Sequence, residues 1–236
     1  MQTLLRMIYP SQCLTCAEMV EEDFALCGTC WRDTDFIRGL TCHSCGVPLP
    51  GESGDVIRCD DCMTTARPWS SGAAALMYHG NGRRLVLALK HGDRTELALP
   101  AARWMAEVMP HIEPNTALVP VPLHWARFLK RRYNQSALLA KALSGLTGLD
   151  YMPNALQRVK RTKPLDGRSR NNRFALLDGA IRPHPKHATQ LSGRRVLLID
   201  DVMTSGATLA AATEACTQAG ADHVDVLVLA RVAKDR

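Results

Sequence analysis

Eight cysteines between positions 13 and 62 fall into four C-x-x-C pairs, Cys13/Cys16, Cys27/Cys30, Cys42/Cys45 and Cys59/Cys62. A two-residue gap lets both sulfurs of a tight turn face one tetrahedral ion, and two such turns complete a four-sulfur zinc site. The spacing therefore predicts two structural zinc ions (Zn2+). A disulfide framework belongs to an oxidising compartment, and nothing in the sequence points to secretion. Four evenly distributed pairs also suit ligands better than the single reactive dithiol of a redox site. Sequential pairing of neighbouring turns is the favoured arrangement, and an interleaved cross-brace fits the same spacing. Gly28 and Gly46, inside and just after a turn, are expected to take positive φ. About sixty residues with few large apolar side chains do not make a stable core alone, so the metal is expected to supply the folding energy.

Charge divides the chain where cysteine does. Residues 1–66 carry 4 Lys+Arg against 10 Asp+Glu, and residues 67–236 carry 25 against 13, so balances of −6 and +12 lie behind the overall +6. A boundary near Arg67 and Pro68 follows, with a zinc-binding unit at 1–66 and a second domain at 67–236. With 46% hydrophobic and 22% charged residues, the composition is that of a soluble globular chain rather than a disordered one. No run approaches the roughly 20 apolar residues that cross a bilayer, so membrane insertion is not expected. The opening MQTLLRMIYPSQC lacks a small-residue cleavage pattern, which places the chain in the cytoplasm.

From residue 72 short apolar runs alternate with helical stretches, the pattern of a layered α/β domain with a central parallel sheet. Strands are expected at 73–78, 116–123, 194–200 and 223–232, and helices at 85–89, 97–108, 126–146 and 206–220. The helix at 126–146 would put Leu129, Tyr133, Ala137, Ala140 and Leu143 on one face. Cys216, the ninth cysteine, falls on an apolar helix face and reads as core.

The junction from Val196 to Leu209 carries the chemistry. A continuous apolar run suits a buried parallel strand, and it delivers Asp200 and Asp201 to the carboxyl edge of the sheet, where ligands of open α/β folds bind. Thr204, Ser205, Gly206, Ala207 and Thr208 follow, supplying hydroxyls, a tight turn and free amides at a helix start, which together cradle a phosphate. Two carboxylates just before such a cradle suit the hydroxyls of the ribose that bears the phosphate, with a divalent cation offsetting charge. A plain helix cap needs one such residue, not a polar loop of this length.

This junction resembles the PRPP-binding signature of type I phosphoribosyltransferases at all its positions. Val119 to Leu123 (VPVPL), Arg131 to Gln135 (RRYNQ) and Leu138 to Ala140 (LLA) resemble the VPVPL, RGFNQ and LLA pattern of the ComF/GntX family, in which a double zinc ribbon precedes a phosphoribosyltransferase domain. Lys90 in LALKHGD resembles the family's early lysine. The stretch from Thr162 through Gly167, Arg168, Arg173 and Phe174 to Ile181 resembles its basic loop. The resemblance implies the type I phosphoribosyltransferase fold, PRPP with Mg2+ at Asp200, Asp201 and residues 204–208, and catalysis centred on Asp200 and Asp201. Lys90, Arg168 and Arg173 become loop and acceptor contacts. It also implies a link to DNA uptake or processing, with single-stranded DNA and a DNA-uptake or helicase protein as partners. Two positions depart from the pattern: Arg132 stands where the family has glycine, and Leu165 where it often has glutamine.

Residues 158–173 carry seven basic side chains, Arg158, Lys160, Arg161, Lys163, Arg168, Arg170 and Arg173, against the single acid Asp166. Three readings compete for them. They form a solvated face, or a loop that closes over pyrophosphate, or, with Arg127, Lys130, Arg131 and Arg132, a track for the phosphates of single-stranded nucleic acid. Trp125, Phe128, Tyr133 and Phe174 are the aromatic residues near enough in sequence to stack on bases. Turnover and non-catalytic sensing of PRPP both fit the motif.

Overall fold

The computed structural model describes residues 10–52, 56–110, 112–160, 176–177 and 179–233. The cysteine-rich unit is one motif built twice. In each copy a C-x-x-C turn is closed by an antiparallel bridge, Gln12 to Met19 in the first and Thr41 to Pro48 in the second. The second turn of each copy opens a short helix: Cys27 precedes α1 (Gly28–Arg32) and Cys59 precedes α2 (Asp60–Thr64). The Cys27 amide donates to Cys13 Sγ at 3.2 Å, and the Cys59 amide donates to Cys42 Sγ at 3.3 Å. Equivalent positions thus solve the same problem in the same way.

Pairing is sequential. The sulfurs of Cys13, Cys16, Cys27 and Cys30 lie within 4.8 Å of one another, as do those of Cys42, Cys45, Cys59 and Cys62. The Cys16–Cys27 and Cys45–Cys59 sulfur pairs are both 3.7 Å apart. A zinc–sulfur bond of about 2.3 Å puts the edges of a tetrahedron at about 3.8 Å, so both clusters have the dimensions of a structural zinc site. In the second cluster, hydrogen bonds from Cys45 and Cys62 hold the Cys42 thiol far below its usual range, while the same contact with Cys42 pushes Cys62 far above it. Four thiolates this close together would require a cation between them. Of the two glycines expected at positive φ, Gly46 takes it (φ +67°) and Gly28 does not, because it opens α1 in ordinary helical geometry.

The rest of the chain builds a five-stranded, wholly parallel sheet from β1 (Gly72–Met77), β2 (Thr116–Pro120), β3 (Asp150–Tyr151), β6 (Arg195–Met203) and β7 (His223–Arg231) in the order β1-β7-β6-β2-β3. A separate antiparallel pair joins β4 (Leu156–Arg158) and β5 (Ile181–Pro183). The helices are α3 (Gly80–His91), α4 (Ala98–Glu107), α5 (Trp125–Arg131), α6 (Gln135–Thr147) and α7 (Ala207–Gln218). Val196 to Ile199 and Val224 to Ala230 are buried almost without exception, as strands covered on both faces must be. One face packs on Leu85, Leu89, Met105, Leu139 and Leu143, the other on Leu209, Ala212, Ala215 and Cys216. Burial lifts the Cys216 thiol to about 12, which keeps it inert.

Strand β1 is an edge, and the ribbon covers it. Phe36 bridges antiparallel to Leu76, the Ile37 amide donates to Ala75 O at 2.8 Å, and the Met77 amide donates to Asp35 O at 2.9 Å. The edge groups that invite pairing with another chain are thus used internally. A side chain at Gly46 would come within 2.7 Å of the Ala74 backbone nitrogen, so the second ribbon lies directly on the sheet.

The single helix expected over 126–146 is two helices. The break falls at Arg132, which adopts left-handed backbone (φ +66°), and Asn134 then caps α6 by accepting the Ser136 amide at 3.1 Å. Leu129, expected on the core face, is 71% exposed, because α5 no longer shares an axis with α6. The family's glycine at this position has its physical reason here, since left-handed backbone costs a residue with a Cβ about 1–2 kcal/mol.

Two outcomes are expected. Metal analysis of the purified chain should find two zinc ions, and chelation should unfold the segment 10–66 before the sheet, seen as early proteolysis confined to that segment. Arg132→Gly should gain about 0.5–1 kcal/mol, because relief of left-handed strain exceeds the added unfolded-state entropy. Calorimetry should then show a melting temperature raised by about 1–3 °C.

Candidate functional site

Strand β6 carries Asp200 and Asp201 to the carboxyl edge of the sheet, onto a cleft of about 370 Å³ whose lining includes Lys90, Arg131, Ser136, Arg158, Thr204 and Thr208. Asp200 is half-buried and Asp201 is buried. Asp200 Oδ1 accepts the Ser136 hydroxyl at 2.8 Å and the Asp201 amide at 2.9 Å. Asp201 Oδ1 lies 3.0 Å from Lys90 Nζ. Burial and the neighbouring Asp201 charge lift the Asp200 carboxyl to about 7, and Ser136, Lys90 and the Asp201 amide resist that rise. Asp200 sits at the edge of ionisation near neutral pH, so a ligand bringing hydroxyl donors or a cation would settle it as a carboxylate.

The segment 131–135 fixes this arrangement. Tyr133 donates its hydroxyl to Leu89 O at 2.8 Å, Gln135 Nε2 donates to Lys90 O at 3.4 Å, and Asn134 Nδ2 donates to Val121 O at 3.0 Å. Arg131 Nη1 donates to Gln135 Oε1 at 3.4 Å. The end of α3, the end of β2 and the start of α6 are thus tied together behind the acidic pair.

Next along the chain, residues 204–208 turn into α7. Gly206 is left-handed (φ +81°), and no side chain caps the helix that follows. The Ala207 amide donates to Ser205 Oγ at 3.4 Å. Two buried arginines hold the carbonyl groups of the turn. Arg231 Nη1 donates to Met203 O at 3.1 Å and to Thr204 O at 2.8 Å, and Arg67 Nη1 donates to Ser205 O at 2.6 Å. With three successive carbonyls occupied, the turn offers amides, hydroxyls and nearby positive charge, the requirements of an anion site at a helix start.

Lys90, Asp200, Asp201, Thr204 and Thr208 therefore line one cleft. Arg131 lines it as well, and Arg132 is exposed. Arg127 and Lys130 lie on α5; Arg168 and Arg173 fall outside the described residues. Ser136, Arg67 and Arg231 were not singled out from the sequence. Arg231 had a signal, as a charge closing an otherwise apolar strand. Ser136 and Arg67 had none, since their roles depend on partners 64 and 138 residues away.

Two family models match the chain: the double zinc ribbon domain at residues 4–63 and the phosphoribosyl transferase domain at residues 153–236. The chain is 28% identical over 214 residues to the DNA utilization protein YhgH of Escherichia coli (strain K12), covering 88% of this chain and 91% of that protein. It is 33% identical over 150 residues to competence protein F of Haemophilus influenzae, covering 63% and 58%. Among solved structures it is similar to an allosteric regulatory enzyme of purine biosynthesis, at 17% identity and a TM-score of 0.40, over 61% of this chain and 30% of that one. A second is adenine phosphoribosyltransferase from Thermoanaerobacter pseudethanolicus, at 12% identity and a TM-score of 0.36, over 58% and 82%.

The raised Asp200 carboxyl has a consequence for stability. Between about pH 4 and 7 the folded chain holds a proton there that the unfolded chain has released, so this group's contribution to stability falls as pH rises through that window. Asp200→Asn is expected to remove the loss. Urea unfolding should show the variant more stable than the parent at pH 8 and the gap closing toward pH 4.

Proposed function

The chain belongs to the ComF family, a double zinc ribbon joined to a type I phosphoribosyltransferase domain, and on that premise we propose that its cleft binds PRPP and transfers the phosphoribosyl group. The observation that carries the reading is the run from Asp200 to Thr208, with two carboxylates, a capless helix start and three carbonyls held by Arg231 and Arg67. In this reading the turn at 204–208 binds the 5′-phosphate through amides and hydroxyls. Asp200 and Asp201 accept the ribose hydroxyls, which orients C1 toward the cleft. The carboxylate oxygens beside a diphosphate suit a hard cation, and Mg2+ would there offset the charge of the departing pyrophosphate. Ser136 orients Asp200 through its hydrogen bond, and Lys90 pairs with Asp201. A cation-like ribose in the transition state gains from two nearby carboxylates, so rate comes from orientation and electrostatics rather than from a protein nucleophile. The acceptor is a nucleophile that enters the cleft opposite the pyrophosphate.

The names of the relatives, a DNA utilization protein and a competence protein, support a role in DNA uptake or processing for this chain as well. A second reading, sensing of PRPP by a module that binds single-stranded DNA without turnover, is favoured by Trp125. Its ring is 67% exposed on α5, one helical turn from the exposed Leu129 and close in sequence to Arg131 and Arg132. An exposed aromatic among cations is a stacking platform for bases. We place both readings in the cytoplasm.

Calorimetric titration with PRPP and Mg2+, with pyrophosphate release followed in parallel with and without single-stranded DNA, separates them. Binding is expected in the parent and lost in Asp200→Asn/Asp201→Asn; unaltered binding in that double variant would sink the assignment. Acceptor-dependent release supports transfer. Binding without release, together with DNA affinity that falls in Trp125→Ala, supports sensing.

A further inference from the structure

Arg67 joins two places that the function so far treats separately. Its side chain is 2% exposed. Nε donates to Cys62 Sγ at 3.5 Å, Nη2 pairs with Asp61 Oδ2 at 3.4 Å, and Nη1 donates to Ser205 O at 2.6 Å. One edge of the guanidinium is therefore spent on the second zinc cluster and the other on the phosphate turn. Beneath it lies Trp69, buried, with its ring centroid 5.5 Å from the guanidinium carbon. Trp69 Nε1 donates in turn to Ser44 O at 2.6 Å, inside the Cys42–Cys45 turn. Both side chains reach Gly206, where a Cβ would lie 2.9 Å from Arg67 Nη1 and 2.9 Å from the Trp69 ring. Two turns of one zinc cluster thus reach the same left-handed residue of the phosphate turn.

We propose that Arg67 is a positioning residue for the phosphate turn, and that through it zinc binding at Cys42, Cys45, Cys59 and Cys62 is coupled to anion binding at residues 204–208. The inference rests on the reading of that turn as a phosphate site. The physics is that of a shared support. A zinc ion held by Cys42, Cys45, Cys59 and Cys62 would fix the Cys62 sulfur and the Ser44 carbonyl and through them Arg67 and Trp69, which hold the Ser205 carbonyl and leave room only for glycine at 206. Without the metal, four crowded thiols separate and the support is lost. A ligand would then have to order the turn at the expense of its own affinity. Coupling between two binding sites is reciprocal, so an anion on the turn tightens the second zinc by the same factor. The first zinc cluster is held to the domain elsewhere, with Asn81 Nδ2 donating to Cys30 O at 3.1 Å and Arg94 Nη1 to Leu14 O at 3.1 Å. Lysine replaces this arginine only in part, because a single ammonium on a flexible stem does not hold a sulfur, a carboxylate and a carbonyl in one plane.

The test uses the full zinc-loaded chain with Arg67→Met and Arg67→Lys. For Arg67→Met, PRPP affinity is expected to fall about ten- to a hundredfold, the effect of removing a charged donor from a buried carbonyl, with two zinc ions retained. In the parent, PRPP with Mg2+ should slow zinc release to a colorimetric chelator from one of the two clusters, and this protection should vanish in Arg67→Met and persist in part in Arg67→Lys. Unchanged affinity and unchanged protection in Arg67→Met would overturn the proposal. Amide hydrogen exchange across 203–209 keeps the test independent of PRPP. If the parent fails to bind PRPP, the functional reading falls, while faster exchange there in zinc-loaded Arg67→Met upholds the support by Arg67, and unchanged exchange removes it.

Discussion

Two carboxylates on consecutive residues at the end of a buried strand repel each other, and much of the domain is arranged around that repulsion. Asp200 and Asp201 lie where β6 has passed the end of β2 and still runs beside β7, and Asp200 is half-buried and Asp201 buried, so neither turns fully to water. The response is local and comes from three elements: Lys90 from the last turn of α3, Ser136 from the first turn of α6, and the Asp201 amide itself. Those donors are placed in turn by Tyr133, Asn134 and Gln135, which tie α3 and β2 to the start of α6. The segment reads in sequence as a word that resembles the family pattern. In the fold it acts as a clamp.

The same economy governs the turn at 204–208. Carbonyl groups near a bound anion are repulsive, and buried carbonyl groups without donors are costly. Arg231 and Arg67 address both, since each buried guanidinium occupies the carbonyls and leaves positive charge behind the turn. One of these arginines belongs to the closing strand and the other to the junction with the ribbon. A module that looks like an appendage by composition therefore bears on the turn through the junction residue Arg67, and it also covers the exposed edge of β1 through Asp35, Phe36 and Ile37.

Local signals made much of this legible. Periodicity located β6, α7 and β7 to within a few residues, because unbroken apolar runs admit few alternatives in a layered α/β domain. Cysteine spacing gave the ligand set, yet left sequential and crossed pairing open until the sulfur distances chose the former. The helix over 126–146 failed for a definite reason. Its apolar spacing continues through Arg132, and nothing in helix periodicity reports that this residue turns left-handed so that Asn134 can cap a new helix. Leu129 moved from an expected core position to an exposed one as a result. The short pairs β3 with β2 and β4 with β5 were equally invisible, since two or three residues carry no period.

What the sequence determined by itself is the inventory and its order: eight sulfurs in pairs, a buried strand ending in two acids, a small-residue turn and an alternating α/β frame. These follow from spacing within a few residues, which covalent geometry fixes. The tertiary structure alone decided which donors meet which acceptors across long separations. Ser136 reaches Asp200, Lys90 reaches Asp201, and Arg67 spans from Cys62 to Ser205, because a parallel sheet gathers the ends of distant strands and helices at one edge. Hydrogen bonds act over about 3 Å, so only the completed fold could bring those groups within range.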